Sequence, residues 1–183
     1  MSGPYSTRPV FLIGFMGAGK TSAGKALARR LNWKFFDLDD LIEQYEQASV
    51  AVIFSRVGES GFRQIESAVL WQLLEMNHQN SVIALGGGTF VQSQNRDLLS
   101  QAGAITVLLD APVEELARRC EVEGGGRPLA QDKEKFNQLF ASRREAYELA
   151  RFRIQTAGKT VENVAAEIEE LLMGLTPEAG ETS

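Results

Sequence analysis

Residues Gly14-Phe15-Met16-Gly17-Ala18-Gly19-Lys20-Thr21 fit the pattern G-x-x-x-x-G-K-[ST] at every fixed position. An apolar run, Val10–Ile13, precedes them and reads as a buried strand, and the helix-forming stretch 23–31 follows. That order commits the chain to a strand–loop–helix unit. Its glycines let successive N–H groups turn inward, and the helix N-terminus adds its positive end. In such a loop Gly17, Ala18, Gly19, Lys20, Thr21 and Ser22 would surround phosphate oxygens. Lys20 would bridge the β and γ phosphates, and the Thr21 hydroxyl would be a magnesium ligand. The plain alternative is a glycine-rich turn entering a helix with no ligand. The strand on one side and the helix on the other favour a nucleoside triphosphate.

The rest of the chain alternates strands and helices. Residues 33–37 read as a second strand, 40–47 as a helix and 50–56 as another turn or two of helix. Phe62, Ile65, Val69, Leu70, Leu73 and Leu74 recur at spacings of three and four, which predicts an amphipathic helix over 59–76. The apolar run 81–85 stops at Gly86-Gly87-Gly88, 92–102 is helical, and 104–109 is a fourth strand closed by Asp110. Pro112 opens a helix that runs through Arg118-Arg119-Cys120. A helix over 132–150, a short strand at Phe152–Gln155 and a closing helix at Val161–Met173 complete the pattern, the last with an acidic outer face at Glu167, Glu169 and Glu170. Such alternation predicts an α/β fold, a parallel sheet with helices on both faces. Ligands then bind outside the carboxyl ends of the strands, so the loops after Ile13, Phe36, Leu85, Leu109 and Gln155 share one rim.

Bulk properties narrow the partners. With 183 residues, 44% hydrophobic and 23% charged, the chain has the size and make-up of one globular domain. A net charge of −5 argues against nucleic acid. No apolar run approaches the roughly 20 residues of a membrane span, and residues 1–9 are too short and polar for a signal peptide. The single cysteine, Cys120, cannot form an internal disulfide, so a reducing compartment, the cytoplasm, is expected. It reads as a buried or neutral helix residue. A core over about 9–173 and a frayed tail over about 176–183 are expected.

Three features on the rim carry chemistry. In Asp37-Leu38-Asp39-Asp40, alternation along an extended segment places Asp37 and Asp39 on one side. One would hold magnesium through water beside Thr21. The other would orient a hydroxyl and take its proton, with Asp40 capping the next helix. Three solvated capping aspartates are the bland alternative. Arg63 and Glu66 lie one turn apart, and as a surface pair they would contribute only about a few tenths of a kcal/mol. Gly86-Gly87-Gly88 leaves bare backbone at a strand end, either for close approach of a ligand or as a plain flexible loop. His78 reads as a solvated helix-end residue, Trp33 and Trp71 as core packing, and Phe36, Phe54 and Phe62 as candidate pocket walls, with core an equal reading for Phe54 from its helical spacing.

Taken together, the phosphate loop, Asp37-x-Asp39, Gly58-Glu59 with Phe62-Arg63 and Glu66, and the triple glycine resemble shikimate kinase over about 10–172. The resemblance implies ATP-dependent phosphorylation of the 3-hydroxyl of shikimate, in the route to chorismate and aromatic amino acids. It also implies the fold of nucleoside monophosphate kinases: a three-layer αβα sandwich on a five-stranded parallel sheet, with a substrate-binding region over about 37–65 and a mobile lid over about 121–131. By this likeness Asp39 contacts the shikimate hydroxyls and is the proposed base, and Arg63 grips the carboxylate. Gly86, Gly87 and Gly88 lie against the substrate, and Asp37 stands near Mg²⁺. Arg127, in Gly124-Gly125-Gly126-Arg127-Pro128-Leu129, reaches the phosphates, so that Asp39, Lys20 and Arg127 are the catalytic set. An adenine-stacking arginine falls on Arg118 or Arg119. The second carboxylate arginine falls on Arg143, four residues before Tyr147, with Arg144 adjacent. The implied partners are ATP and shikimate, with neither nucleic acid nor membrane, and a monomer. A kinase for another small hydroxy acid such as gluconate, or a non-catalytic nucleotide-binding module, stands as the alternative.

Overall fold

The computed structural model describes residues 7–76, 78–122 and 132–175. Five strands, β1 (Val10–Ile13), β2 (Lys34–Asp37), β3 (Ser81–Ala84), β4 (Ile105–Asp110) and β5 (Phe152–Gln155), form one parallel sheet in the order β2-β3-β1-β4-β5. The helices are α1 (Lys20–Leu31), α2 (Leu38–Glu46), α3 (Val50–Glu75), α4 (Ser93–Gln101), α5 (Val113–Val122), α6 (Lys133–Tyr147) and α7 (Val161–Met173). A 3₁₀ turn spans Thr89–Val91. Every residue of β1, β3 and β4 is buried, which requires cover on both faces of the sheet. On one side α1 packs on α7 and on β1 to β3. The 3₁₀ turn contacts α3, α4 and α6, and α6 also meets α5. This is the layered α/β arrangement that the alternation predicts. β1 is central, and the chain steps from it first toward β2 and later toward β4. The carboxyl ends of β1 and β3 therefore open a crevice at the point where the winding reverses.

The main elements form where the sequence places them, and the departures are local. The helix expected at 40–47 begins at Leu38, so Asp37 and Asp39 do not lie along an extended strand. Asp37 is the cap, its Oδ1 accepting from Asp39 N at 3.1 Å, and Asp40 sits within the first turn. The two helices expected over 50–56 and 59–76 run on as α3, broken at Gly58 (φ 68°, ψ −177°). That left-handed backbone suits glycine, and residues on both sides of the break, Phe54 before it and Arg63 and Glu66 after it, reach one cleft. Trp71 is 50% exposed rather than core, whereas Trp33 packs against the core. Glu169 leaves the expected acidic face: it is buried and accepts from Arg30 Nε at 2.6 Å, tying α7 to α1. Cys120 is buried on α5, as expected.

Candidate active site

The donor side is built by the loop between β1 and α1. Gly19 caps α1 in the left-handed region with no side-chain cap, and the first amide to close a turn is that of Ala23, to Gly19 O at 2.8 Å. The start of α1 thus keeps the positive end that a helix without a side-chain cap presents to an anion. At Gly17 (φ 77°) a Cβ would stand 2.6 Å from Leu116 O and 2.9 Å from Cys120 Sγ, so conformation and space both demand glycine. Phe15 anchors the loop: it is buried, with its ring edge-on to Phe136 at 5.0 Å and to Phe140 at 5.4 Å. Lys20 Nζ donates to Gly14 O at 2.9 Å and Phe15 O at 3.1 Å. The Thr21 hydroxyl donates to Asp37 Oδ2 at 2.8 Å, so the strand-end carboxylate and the loop hydroxyl meet as the sequence suggests.

Beside the loop a groove of about 330 Å³ is lined by Gly17, Ala18, Gly19, Ser22, Arg119 and Thr156, among others. Arg119 spans it, donating to Thr156 O at 2.9 Å and Thr156 Oγ1 at 3.1 Å. Arg118 is 62% exposed and turns to Glu115. The guanidinium of Arg118, then that of Arg119, holds the Glu115 carboxyl well below its usual range, at about 2. Arg119 is thus fixed between phosphate loop and groove, and Arg118 is the more exposed cation.

On the other side of Lys20 lies a cleft of about 480 Å³. Lys20, Thr21, Asp39, Arg63, Gly86, Gly87, Gly88 and Arg143 all line it, and Phe54 and Phe62 wall it, stacked at 4.2 Å. Phe36 is not among its walls and packs on His78 instead. Glu66 is fully buried, so Arg63–Glu66 is no surface pair: Arg63 Nη1 donates to Glu66 Oε2 at 2.9 Å, and Thr89 Oγ1 donates to Glu66 Oε1 at 2.6 Å. Arg144 is drawn away to Asp110 and Glu148, leaving Arg143 facing the cleft with its guanidinium 5.7 Å over the Phe15 ring. Asp110 is also held by Arg153 and Gln155, which locks the start of the β5 rim.

The triple glycine serves space rather than backbone freedom, because none of its three φ angles is positive. A Cβ on Gly86 would stand 2.9 Å from both Asp39 Oδ1 and Glu66 Oε1, one on Gly87 3.1 Å from Arg143 Nη1, and one on Gly88 2.3 Å from Arg63 Cζ. Each absent side chain is room taken by a functional group. Sequence reading had no sign of this, nor of the clamp below it, where Asn95 Nδ2 and Arg96 Nη1 hold the carbonyls of Thr89, Phe90 and Val91 at 2.7–2.9 Å. Those residues belong to no motif, and only the fold brings them beneath the site.

Arg127 and nearly all of the region expected as a lid, 123–131, lie outside the described residues. No group of three or more His, Cys, Asp or Glu is placed to hold a metal among the described residues. Thr21 and Asp37 supply hard oxygen donors beside the open helix end, a set that suits a cation completed by phosphate and water.

The family model described as shikimate kinase matches residues 16–173. The shikimate kinase of Geobacter metallireducens is 42% identical over 95% of this chain and 97% of its own. In structure, the shikimate kinase of Acinetobacter baumannii, solved in complex with shikimate, superposes with a TM-score of 0.83 at 35% identity, covering 92% of this chain and 94% of that one. The Aquifex aeolicus shikimate kinase gives a TM-score of 0.80 at 34% identity over 91% and 96%. A match that runs from the phosphate loop to the last helix, in sequence and in fold alike, makes this chain a member of the shikimate kinase family.

Proposed function

We propose that this chain transfers the γ-phosphoryl group of ATP to the 3-hydroxyl of shikimate, giving shikimate 3-phosphate and ADP. The observation that carries the reading is the single cleft in which Lys20 lies between the phosphate loop and a wall bearing Asp39, Arg63 and Arg143. Two arginines suit the carboxylate of a small, hydroxyl-rich acid through planar, charge-assisted bonds. Asp39 orients the 3-hydroxyl. As the oxygen–phosphorus bond forms, the bond from the γ-phosphorus to the bridging oxygen breaks, the hydroxyl proton passes to Asp39, and ADP leaves. Gly17, Ala18, Gly19, Thr21 and Ser22 cradle the phosphates, and Lys20 exchanges its loop carbonyls for phosphate oxygens. Arg119 meets the nucleoside, and Arg127 supplies charge from a lid. Thr21, with Asp37 through water, would hold Mg²⁺, which would supply neutralisation of the phosphate charge.

Steady-state ADP release, measured with ATP and Mg²⁺ and either shikimate or gluconate, tests the reading. Release should depend on shikimate and stay near the background with gluconate. Equal use of both acids, or nucleotide binding without shikimate-dependent release, would overturn it. The reading carries with it a cytoplasmic protein acting as a monomer. No helix among the described residues is long and apolar enough to cross a membrane.

Gly88 offers a sharper probe. In Gly88→Ala the new Cβ collides with a guanidinium that Glu66 pins, so Arg63 has to leave its place. The KM for shikimate should rise about tenfold, equivalent to about 1.4 kcal/mol, while the KM for ATP holds. An unchanged shikimate KM would show that Arg63 is not fixed by this wall.

A further inference from the structure

Tyr147 lies one turn beyond Arg143 on α6 and is 2% exposed. Its hydroxyl donates to Gly87 O in a short contact. A Cβ on Gly87 would meet Arg143 Nη1 at 3.1 Å and Tyr147 Oη at 3.7 Å, so guanidinium and phenol converge over the same glycine. Burial pushes the phenol up to about 12, against the pull of the Arg143 charge, so it stays protonated wherever the kinase works. The transfer step gives it no proton to move. What it does hold is the glycine segment. Asn95 and Arg96 fasten the following 3₁₀ turn to α4, and, among the described residues, the Tyr147 hydroxyl makes the hydrogen bond that joins the segment to α6.

We propose that Tyr147 is a positioning residue for the acceptor: its hydroxyl fixes the Gly87 peptide against Arg143 and so sets the shape of the carboxylate subsite. The proposal rests on the reading of Arg143 as a carboxylate clamp. Tyr147→Phe keeps the buried ring and deletes one donor, and is measured in the full chain by ADP release. The KM for shikimate should rise roughly tenfold, with kcat and the KM for ATP held within about twofold.

Two further arms separate positioning from packing. An acceptor whose carboxylate is reduced to an alcohol makes no use of the arginine clamp, so Tyr147→Phe should leave its weaker KM within about twofold. Arg143→Ala should raise the KM for shikimate by itself, and adding Tyr147→Phe should raise it no further. An unchanged shikimate KM in Tyr147→Phe overturns the proposal. So does an equal rise for the alcohol, or a full additive loss in the double variant. If Arg143→Ala leaves the KM unchanged, the clamp itself fails and the proposal falls with it.

Discussion

Asp39→Asn should lower kcat by roughly 10²–10⁴ while the affinity for ATP stays within about twofold. Asparagine has the shape of aspartate and can still accept a hydrogen bond from the 3-hydroxyl, so shikimate should bind nearly as before. It cannot take a proton at neutral pH, and the attacking oxygen then has to shed its proton to water or to the phosphate. The location of Asp39 makes the separation clean. The residue sits in the first turn of α2, where Asp37 rather than Asp39 supplies the cap. The cap therefore survives the substitution, while the helix loses a favourable charge near its positive end, worth about 0.3–1 kcal/mol. Were Asp39 a solvated first-turn residue of no other role, that small loss would be the whole effect and turnover would survive. Binding of a non-hydrolysable ATP analogue, followed beside steady-state ADP release, distinguishes the outcomes. Retained turnover sinks the base assignment, and lost ATP affinity would move Asp39 to the donor side.

Much of this site is legible in the sequence because its parts are local. A strand, a glycine loop and a helix lie within a few dozen residues, and Phe152–Gln155 and Val161–Met173 form over the same residues that their patterns mark. What stays hidden is whatever depends on a partner from far along the chain. The three aspartates at the end of β2 and just beyond it offer three possible caps, and Asp37, the one that takes the role, is also held by Thr21 from the phosphate loop. Arg143 and Arg144 differ by about 100° around the helix, and only the buried carboxylate of Asp110, from β4, shows which one is turned away. Glu169 is indistinguishable from its acidic neighbours until Arg30 of α1 reaches it. Trp71 errs the other way. Its size suggests core, but the apolar stripe of α3 passes it by and leaves it half exposed. The triple glycine is legible as an oddity and not as a purpose, since its purpose is the volume that three other elements fill.

Arg63→Ala should raise the KM for shikimate about 100-fold, leave that for ATP nearly unchanged, and also destabilise the fold. The two effects have separate causes. On the proposed function, the affinity loss follows from removing one of the two cations, Arg63 and Arg143, that line the cleft and would face the acceptor carboxylate. The stability loss follows from Glu66, whose side chain is 1% exposed and whose partners are Arg63 at 2.9 Å and Thr89 at 2.6 Å. Without the arginine a buried carboxylate keeps one hydroxyl and no counter-charge. Breaking such a pair costs about 3–5 kcal/mol, which for a chain of this length lowers Tm by on the order of 10 °C. A second substitution tells the causes apart. In Arg63→Ala/Glu66→Gln the stranded charge is gone while the amide still accepts from Thr89, so most of the lost Tm should return and the shikimate affinity should not. Thermal melts beside KM values for both substrates check this. Equal rises in both KM values would argue against a carboxylate clamp. An unmoved Tm would mean that Glu66 does not depend on Arg63 for its charge. Recovery of stability alone would show that one ion pair does two jobs: Glu66 holds Arg63 rigid for the acceptor, and Arg63 keeps Glu66 tolerable in the interior.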